Sequence, residues 1–487
     1  MSSTSESAKR NALRTSSTAG GLGGMLKNAS VSLIGNVLSI PLQFLGFVIV
    51  ARSLGPVVFG QYSFAQELTL FVVYAADAGL NILATREMAR HKEHAGAIHG
   101  TLLRLKLFLS MGCYLAILAV GGIMSDSLST FAAVAVLGVA NLLLSYLFLA
   151  NGVFRACERM VWESVTGLLQ PICFCLFTVF VAYSTLVPVG LLPMALARLA
   201  SYFPVVALAL VVTWRLAPPR RAPAPCSGRE YLRQGLPIVL AMFAFDALLR
   251  ISVLFLQAWS TKVELSMFTV SARIVYSLWL IPYIFAGAWL PGMARSAAEH
   301  RHEEFVRHSV RLTRLVTIAA APLTVMLNVA AEPIILLLFG PDYRAGGPVL
   351  RVLAYCVPFL FLFYGMKTIL EARNQQRQFY VIVVVGLAVG LMANALLVPR
   401  DGALGAAWAY LAGISTSTCL GYALAATSVD WGALAFSLAR VACGATAAGL
   451  VLWLLMPVSL LLALAVSGIA YLLVLLLLGE INRRTLL

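Results

Sequence analysis

The sequence predicts an all-α integral membrane protein of about fourteen transmembrane helices, and three observations carry that prediction. Apolar residues make up 61% of the chain and charged residues 11%, where a soluble protein would have about a quarter charged. The apolar stretches mostly run for about 20 residues or more, enough for a helix to cross a hydrocarbon layer of about 30 Å, whereas barrel strands would be about ten residues and alternating. Charges gather between the stretches and thin out within them.

Taken in order, residues 1–28 are rich in Ser and Thr, carry Lys9, Arg10, Arg14 and Lys27, and read as a loose basic tail. No short apolar core with a small-residue cleavage site precedes the first span, so a cleaved secretory signal is not expected. Spans follow at 29–51, 58–84, 101–123, 129–153, 161–183, 188–214, 234–258, 264–290, 311–338, 347–371, 379–398, 402–426, 431–455 and 458–478. An even number puts both termini on one side, and the connections alternate in charge. One set holds Arg86, Arg90, Lys92, Arg104 and Lys106; Arg155 and Arg159; Arg215, Arg220, Arg221, Arg229 and Arg233; Arg295, Arg301, Arg307, Arg311 and Arg314; Arg373 and Arg377; and Arg483 and Arg484. The other has little beyond Arg52, Lys262, Arg344 and Arg400. The positive-inside rule makes the basic set and both termini cytoplasmic, and accounts for a net charge of +15 without invoking nucleic acid.

The Pro- and Arg-rich stretch RLAPPRRAPAPCSGREYLRQG divides the chain into an N-lobe at 29–214, a linker at 215–233 and a C-lobe at 234–426. Each lobe would hold six spans, and the halves echo each other: LGPVVFGQYSFAQEL recurs weakly as TKVELSMFTVSARI, setting Tyr62 against Phe268, Ala65 against Ser271 and Glu67 against Arg273. Such repeats typify transporters that rock about a midplane site. Residues 427–487 add a nearly continuous apolar hairpin and a short basic tail.

Charges inside spans point to function, because an isolated charge in hydrocarbon costs several kcal/mol and needs a partner, water or a proton. Asp246 and Arg250 are four apart, as are Lys367 and Glu371, so each pair can neutralise itself on one helix face. Arg440 can snorkel towards headgroups. Glu332 is placed in the ninth span. Arg198 and Arg273 have no local acid, and an aqueous cavity holding an anion, or an acid from the other half such as Glu67 for Arg273, would satisfy them. The cavity candidates are therefore Arg273, Glu67, Asp77, Arg198 and Arg250, with polar packing between helices the competing role for the two acids. Unpaired guanidinium groups favour a phosphate-bearing lipid headgroup, since Arg offers paired donors to phosphate oxygens.

Eight cysteines are scattered without a CxxC, and all six histidines are assigned to two basic loops, so no disulfide framework, metal site or histidine relay is expected. No GxxxxGK[ST] occurs and the outer loops are too short for an acid/base site, so neither direct ATP use, a cofactor nor an enzyme is expected. GLAVG at 386–390 has the small-xxx-small spacing for close helix packing.

The pieces ARSLGPVVFGQYSFA, DAGLNILATREMAR, FRACERM, EPIILLLFGPDY and LVPRDGALGAAWA, spread over residues 30–425, resemble the polysaccharide transport and O-antigen flippase branch of the multidrug, oligosaccharidyl-lipid and polysaccharide (MOP) exporter superfamily. The resemblance implies two pseudo-symmetric six-helix lobes in a MATE-like V, opening alternately to either side of a bacterial cytoplasmic membrane. It also implies movement of an undecaprenyl-diphosphate-linked oligosaccharide to the outer leaflet, with a polysaccharide polymerase or glycosyltransferases as partner proteins. A proton- or sodium-coupled drug or organic-cation antiporter of the same fold is the alternative, using Glu67, Asp77 or Asp246 as the ion-binding acid.

Overall fold

The computed structural model describes residues 3–77, 79–220, 226–425 and 430–480; Arg221, Arg483 and Arg484 of the expected basic set lie outside them. Every regular element among the described residues is helical. The first half contains α1 (Ser3–Asp77), α2 (Leu80–Arg90), α3 (Ala95–Met124), α4 (Leu128–Ala156), α5 (Val161–Tyr183) and α6 (Leu191–Leu216). The second contains α7 (Gly228–Trp259), α8 (Lys262–Ser277), α9 (Leu280–Ala298), α10 (His302–Val329), α11 (Ala331–Phe339), α12 (Gly346–Ala354), α13 (Cys356–Ala372) and α14 (Gln376–Leu424). A hairpin of α15 (Trp431–Leu455) and α16 (Leu460–Leu477) ends the chain.

Among the described residues, 11 helical stretches are long and apolar enough to cross a membrane. Two of them, Val37–Arg90 and Gln376–Leu424, each fold back once, because Gly55 (φ 68°) and Gly402 (φ 52°) leave helical geometry. With α7, 32 residues long, the bundle makes about fourteen passes, as the apolar segments predict. The turn at Gly402 is capped from outside. Glu264 Oε2 accepts from the Ala403 N–H at 2.7 Å, satisfying a donor at the start of the second half of α14. A Cβ on Gly402 would lie 2.8 Å from that oxygen.

Two lobes result, one from α1–α6 and one from α7–α14. In the first, α1 packs on α4 and α5, and α4 and α5 on α6; in the second, α14 packs on α7 and α13, and α10 on α9 and α13. Within the C-lobe, α14 folds against itself at the predicted small-residue stretch. Gly386 and Gly413 face each other so closely that a Cβ on either would meet the other's carbonyl oxygen at 2.7 and 3.0 Å.

Several expectations change. The helix α1 begins at Ser3, inside the stretch expected as a loose tail; extending an existing helix adds a hydrogen bond per residue without a new nucleus. The third span starts at Ala95 instead of 101, which draws His99 out of the loop and into a buried position, and Lys106, counted with the basic residues of the connection although inside the expected span, is buried too. His99 Nδ1 lies 2.6 Å from the carbonyl of Ala217 and ties α3 to the linker. The ninth span starts at His302, where Glu303 and Glu304 complement the helix dipole, and stops at Val329. Glu332 consequently opens the separate short α11 and pairs with the exposed Arg344 at 2.6 Å.

Arg440 does not snorkel. It pairs at 3.3 Å with Glu480, which also accepts from Arg314 of α10 and Ser437 of α15. Tyr471 of α16 donates to the Ile318 carbonyl at 2.8 Å, so the hairpin is fastened to α10 at two levels. Burial pushes the Glu480 carboxyl up, but Ser437, Arg314 and Arg440 outweigh it and hold it below the usual glutamate value. A carboxylate with a depressed folded pKa contributes stability above its unfolded pKa and loses it as pH falls through the folded one. Amide protection in α15 and α16 should therefore weaken, relative to that in α4 and α6, as pH drops below the ordinary glutamate range. Glu480→Gln should lower local protection there by about 2 kcal/mol at neutral pH.

Candidate functional site

Between the lobes lies a cavity of about 1500 Å³. The N-lobe wall comes from α1, α2, α4, α5 and α6, and the C-lobe wall from α7, α8, α9, α13 and α14. Arg86, Lys367, Glu371, Gln376 and Arg377 line its mouth, so the cavity opens among the basic loops.

The opposite end is shut. Tyr343 donates to the Ala51 carbonyl at 2.6 Å, and Arg52 reaches the carbonyls of Leu338 and Leu337 at 2.8 and 2.6 Å. Phe47 and Phe59 meet Phe339 and Tyr343 edge-on. Lys262 of the C-lobe pairs with Asp126 of the N-lobe. Gly60 passes so near the carbonyl of Lys262 that an added Cβ would lie 2.1 Å from its oxygen. Only a residue without a side chain permits that crossing.

Deep in the cavity one guanidinium joins the lobes. Arg250 of α7 donates through Nη1 to Glu67 of α1 and through Nε to Asp246 Oδ1, one turn back on its own helix, at 2.7 Å. The spacing predicted the Asp246 contact. Glu67, expected opposite Arg273, is taken by Arg250 instead, because α7 already aims that side chain at α1. Asp246 Oδ2 is buried without a hydrogen bond.

Arg198 and Arg273 both line the cavity, and neither is ion-paired among the described residues. Aromatic faces stabilise them instead. The Arg198 guanidinium carbon sits 4.3 Å from the Phe174 ring centroid and 5.3 Å from that of Tyr202; that of Arg273 is 5.0 Å from Phe47. A cation over a ring does not spend its hydrogen-bonding edge on the ring, and Arg198 Nε, itself buried, is without a partner. Nothing in the spacing marks those aromatic residues, which belong to apolar runs like any other.

Lys367 and Glu371 pair at 2.8 Å near the mouth, as four-residue spacing predicts. Asp77 is not in the cavity at all. It is buried inside the N-lobe, 2.9 Å from Lys106 Nζ. The sequence hid this partner because Lys106 counted as a loop residue. Six basic side chains, Arg86, Arg198, Arg250, Arg273, Lys367 and Arg377, line the cavity against the acids Glu67, Asp246 and Glu371, so its field favours an anion.

The profile of a family described as polysaccharide biosynthesis protein matches residues 25–297. In fold, the chain is similar to the lipid II flippase MurJ in an inward closed conformation (TM-score 0.76, 11% identity, 91% of this chain and 97% of that one). It is also similar to a multidrug resistance MATE family transporter of the MOP superfamily in its inward-facing conformation (TM-score 0.66, 14% identity, 85% and 98%). A MATE transporter of Vibrio cholerae is a third (TM-score 0.58, 13% identity, 85% and 97%). No curated protein sequence matches.

If Arg250 is the link between lobes, Glu67→Gln and Arg250→Gln will show a coupling energy of about 1–3 kcal/mol in a double-mutant cycle on thermal stability. Glu67→Gln with Arg273→Gln should show a smaller coupling than that, because the two line one recess with Arg250 but form no ion pair.

Proposed function

The chain belongs to the family described as polysaccharide biosynthesis protein, and from that premise we propose that it is a membrane transporter of the MOP superfamily, and which cargo it carries. The cargo is a polyprenyl-diphosphate-linked oligosaccharide, flipped by alternating access from the cytoplasmic to the outer leaflet of a bacterial cytoplasmic membrane. The carrying observation is the pair of unpaired guanidinium groups, Arg198 from the N-lobe and Arg273 from the C-lobe, held over aromatic rings in one cavity. A diphosphate would supply the anionic oxygens that they lack. Volume supports the same reading. A cavity of about 1500 Å³ exceeds the range of about 300–1,000 Å³ usual for drug-sized ligands.

On this reading the basic loops and both termini face the cytoplasm, so the cavity opens where the lipid-linked glycan would be assembled. The working units are the tail 1–28, the lobes 29–214 and 234–426, the linker 215–233 and the hairpin region 427–487. Arg273, Arg198, Arg250 and Glu67 are the cargo contacts, and the glycosyltransferases and polymerase that make and consume the cargo are the partner proteins.

A drug or organic-cation antiporter is the second reading, favoured by the unpartnered Asp246 Oδ2. It is the weaker one, because Arg250 engages both deep acids.

Proteoliposomes holding a fluorescent polyprenyl-diphosphate oligosaccharide test the proposal. Arg273→Ala and Arg198→Ala should each slow leaflet exchange by about 10- to 100-fold, the loss of one charge-assisted contact, with Lys at either position recovering part of the rate. Unchanged exchange in both, or saturable uptake of an organic cation by inverted vesicles without any exchange of the lipid, would favour the antiporter.

A further inference from the structure

Inside the N-lobe, away from the cavity, a second charged group is built at a break in a membrane pass. The helix α1 stops at Asp77 and α2 restarts at Leu80, past Gly79 in the left-handed region (φ 68°). The end of a broken helix carries unpaired carbonyls and the negative pole of its dipole. In transporters with discontinuous spans, such ends are where small cations are held.

Here that position is filled. Lys106, three turns into α3 and 0% exposed, sends its ammonium to Asp77 Oδ1 at 2.9 Å and to the hydroxyl of Ser145 on α4. The Ser145 hydroxyl in turn lies 3.3 Å from the carbonyl of Val73, one turn before the break. A carboxylate and a hydroxyl supply oxygen to the ammonium directly, with the Val73 carbonyl behind the hydroxyl at the helix end, and oxygens of these kinds are the donors a small hard cation takes. We infer that this is a monovalent-cation site occupied by the chain's own ammonium, Lys106 Nζ standing where a sodium ion would otherwise bind.

The consequence is a fixed positive charge in place of an exchangeable one. A tethered ammonium needs no external ion to neutralise Asp77, so the junction of α1, α2, α3 and α4 stays closed at any sodium concentration. A polar seam also runs from the cavity towards the site. Cavity-lining Gln66 donates to Asn141 Oδ1 at 3.4 Å, and Asn141, one turn from Ser145, donates to Thr69 at 2.7 Å. An ion could follow that seam once the ammonium were removed.

The experiment uses the full chain in nanodiscs. Lys106→Met and the double variant Asp77→Asn/Lys106→Met are unfolded thermally in NaCl and in choline chloride at equal ionic strength. The inference expects Lys106→Met to melt at least about 3 °C higher in NaCl than in choline, with a saturable dependence in the millimolar range. Wild type and the double variant should melt alike in the two salts. Calorimetric titration with NaCl should add one sodium to Lys106→Met and none to wild type. Equal melting of folded Lys106→Met in both salts would overturn the inference, as would sodium-responsive melting of the double variant. So would a Lys106→Met that folds in neither salt while the double variant folds in both.

Discussion

A charge surrounded by hydrocarbon must find its counter-charge, a polarisable surface or water, and the arrangement of this protein follows from how each buried charge meets that requirement. Asp77 and Lys106 answer each other within the N-lobe, and Glu480 gathers Arg314 and Arg440 at the hairpin. Arg250 satisfies one acid from each lobe and so ties the lobes together at mid-depth. Arg198 and Arg273, which line the cavity, rest on aromatic rings with no carboxylate paired to them among the described residues, a weaker solution that leaves their charge for whatever enters. The first three arrangements are closed. The last is what leaves the space between the lobes lined by cations that no carboxylate pairs among the described residues.

The closed end of that space is held by polar contacts that separate without large cost and by an apolar seal. Tyr343 and Arg52 bind backbone carbonyls, and the Lys262–Asp126 pair has its carboxylate half in solvent, a setting where ion pairs contribute about 0–1 kcal/mol. The apolar seal of Phe47, Phe59 and Phe339 is the larger part of the closure, since Phe59 and Phe339 are buried there. A ligand shifts such an equilibrium by its difference in affinity for the two arrangements, and a factor of 10⁴, roughly 5.5 kcal/mol, takes a conformer from rare to dominant. A diphosphate bound between guanidinium groups of opposite lobes is a chemically reasonable source of that difference.

The class of fold, the number of passes and the two-lobed plan were legible in the sequence, because membrane spans announce themselves by length and apolarity. Pairs four residues apart were legible too, as with Asp246 and Arg250 or Lys367 and Glu371, since one helical turn sets their geometry. Partners far apart in the chain were not. Glu67 meets a residue 183 positions away, and the weak internal repeat suggested Arg273 in its place. Lys106 was concealed for another reason: it falls inside the expected span 101–123, but its nearness to Arg104 and the basic loop made it count as one of the connection's cations. The rings under Arg198 and Arg273 had no signal, because an aromatic residue in an apolar run looks the same whether it faces lipid or a guanidinium.

The hairpin of α15 and α16 enlarges one lobe without giving it a new joint. Fastened to α10 through Glu480 and Tyr471, it must tilt when the C-lobe tilts, while its outer side, with Phe436, Leu450, Trp453 and Leu477 exposed, meets acyl chains. On the proposed alternating-access cycle, the two halves therefore displace unequal girdles of lipid. Bilayer thickness and lateral pressure would act on this carrier asymmetrically, chiefly through its broader side.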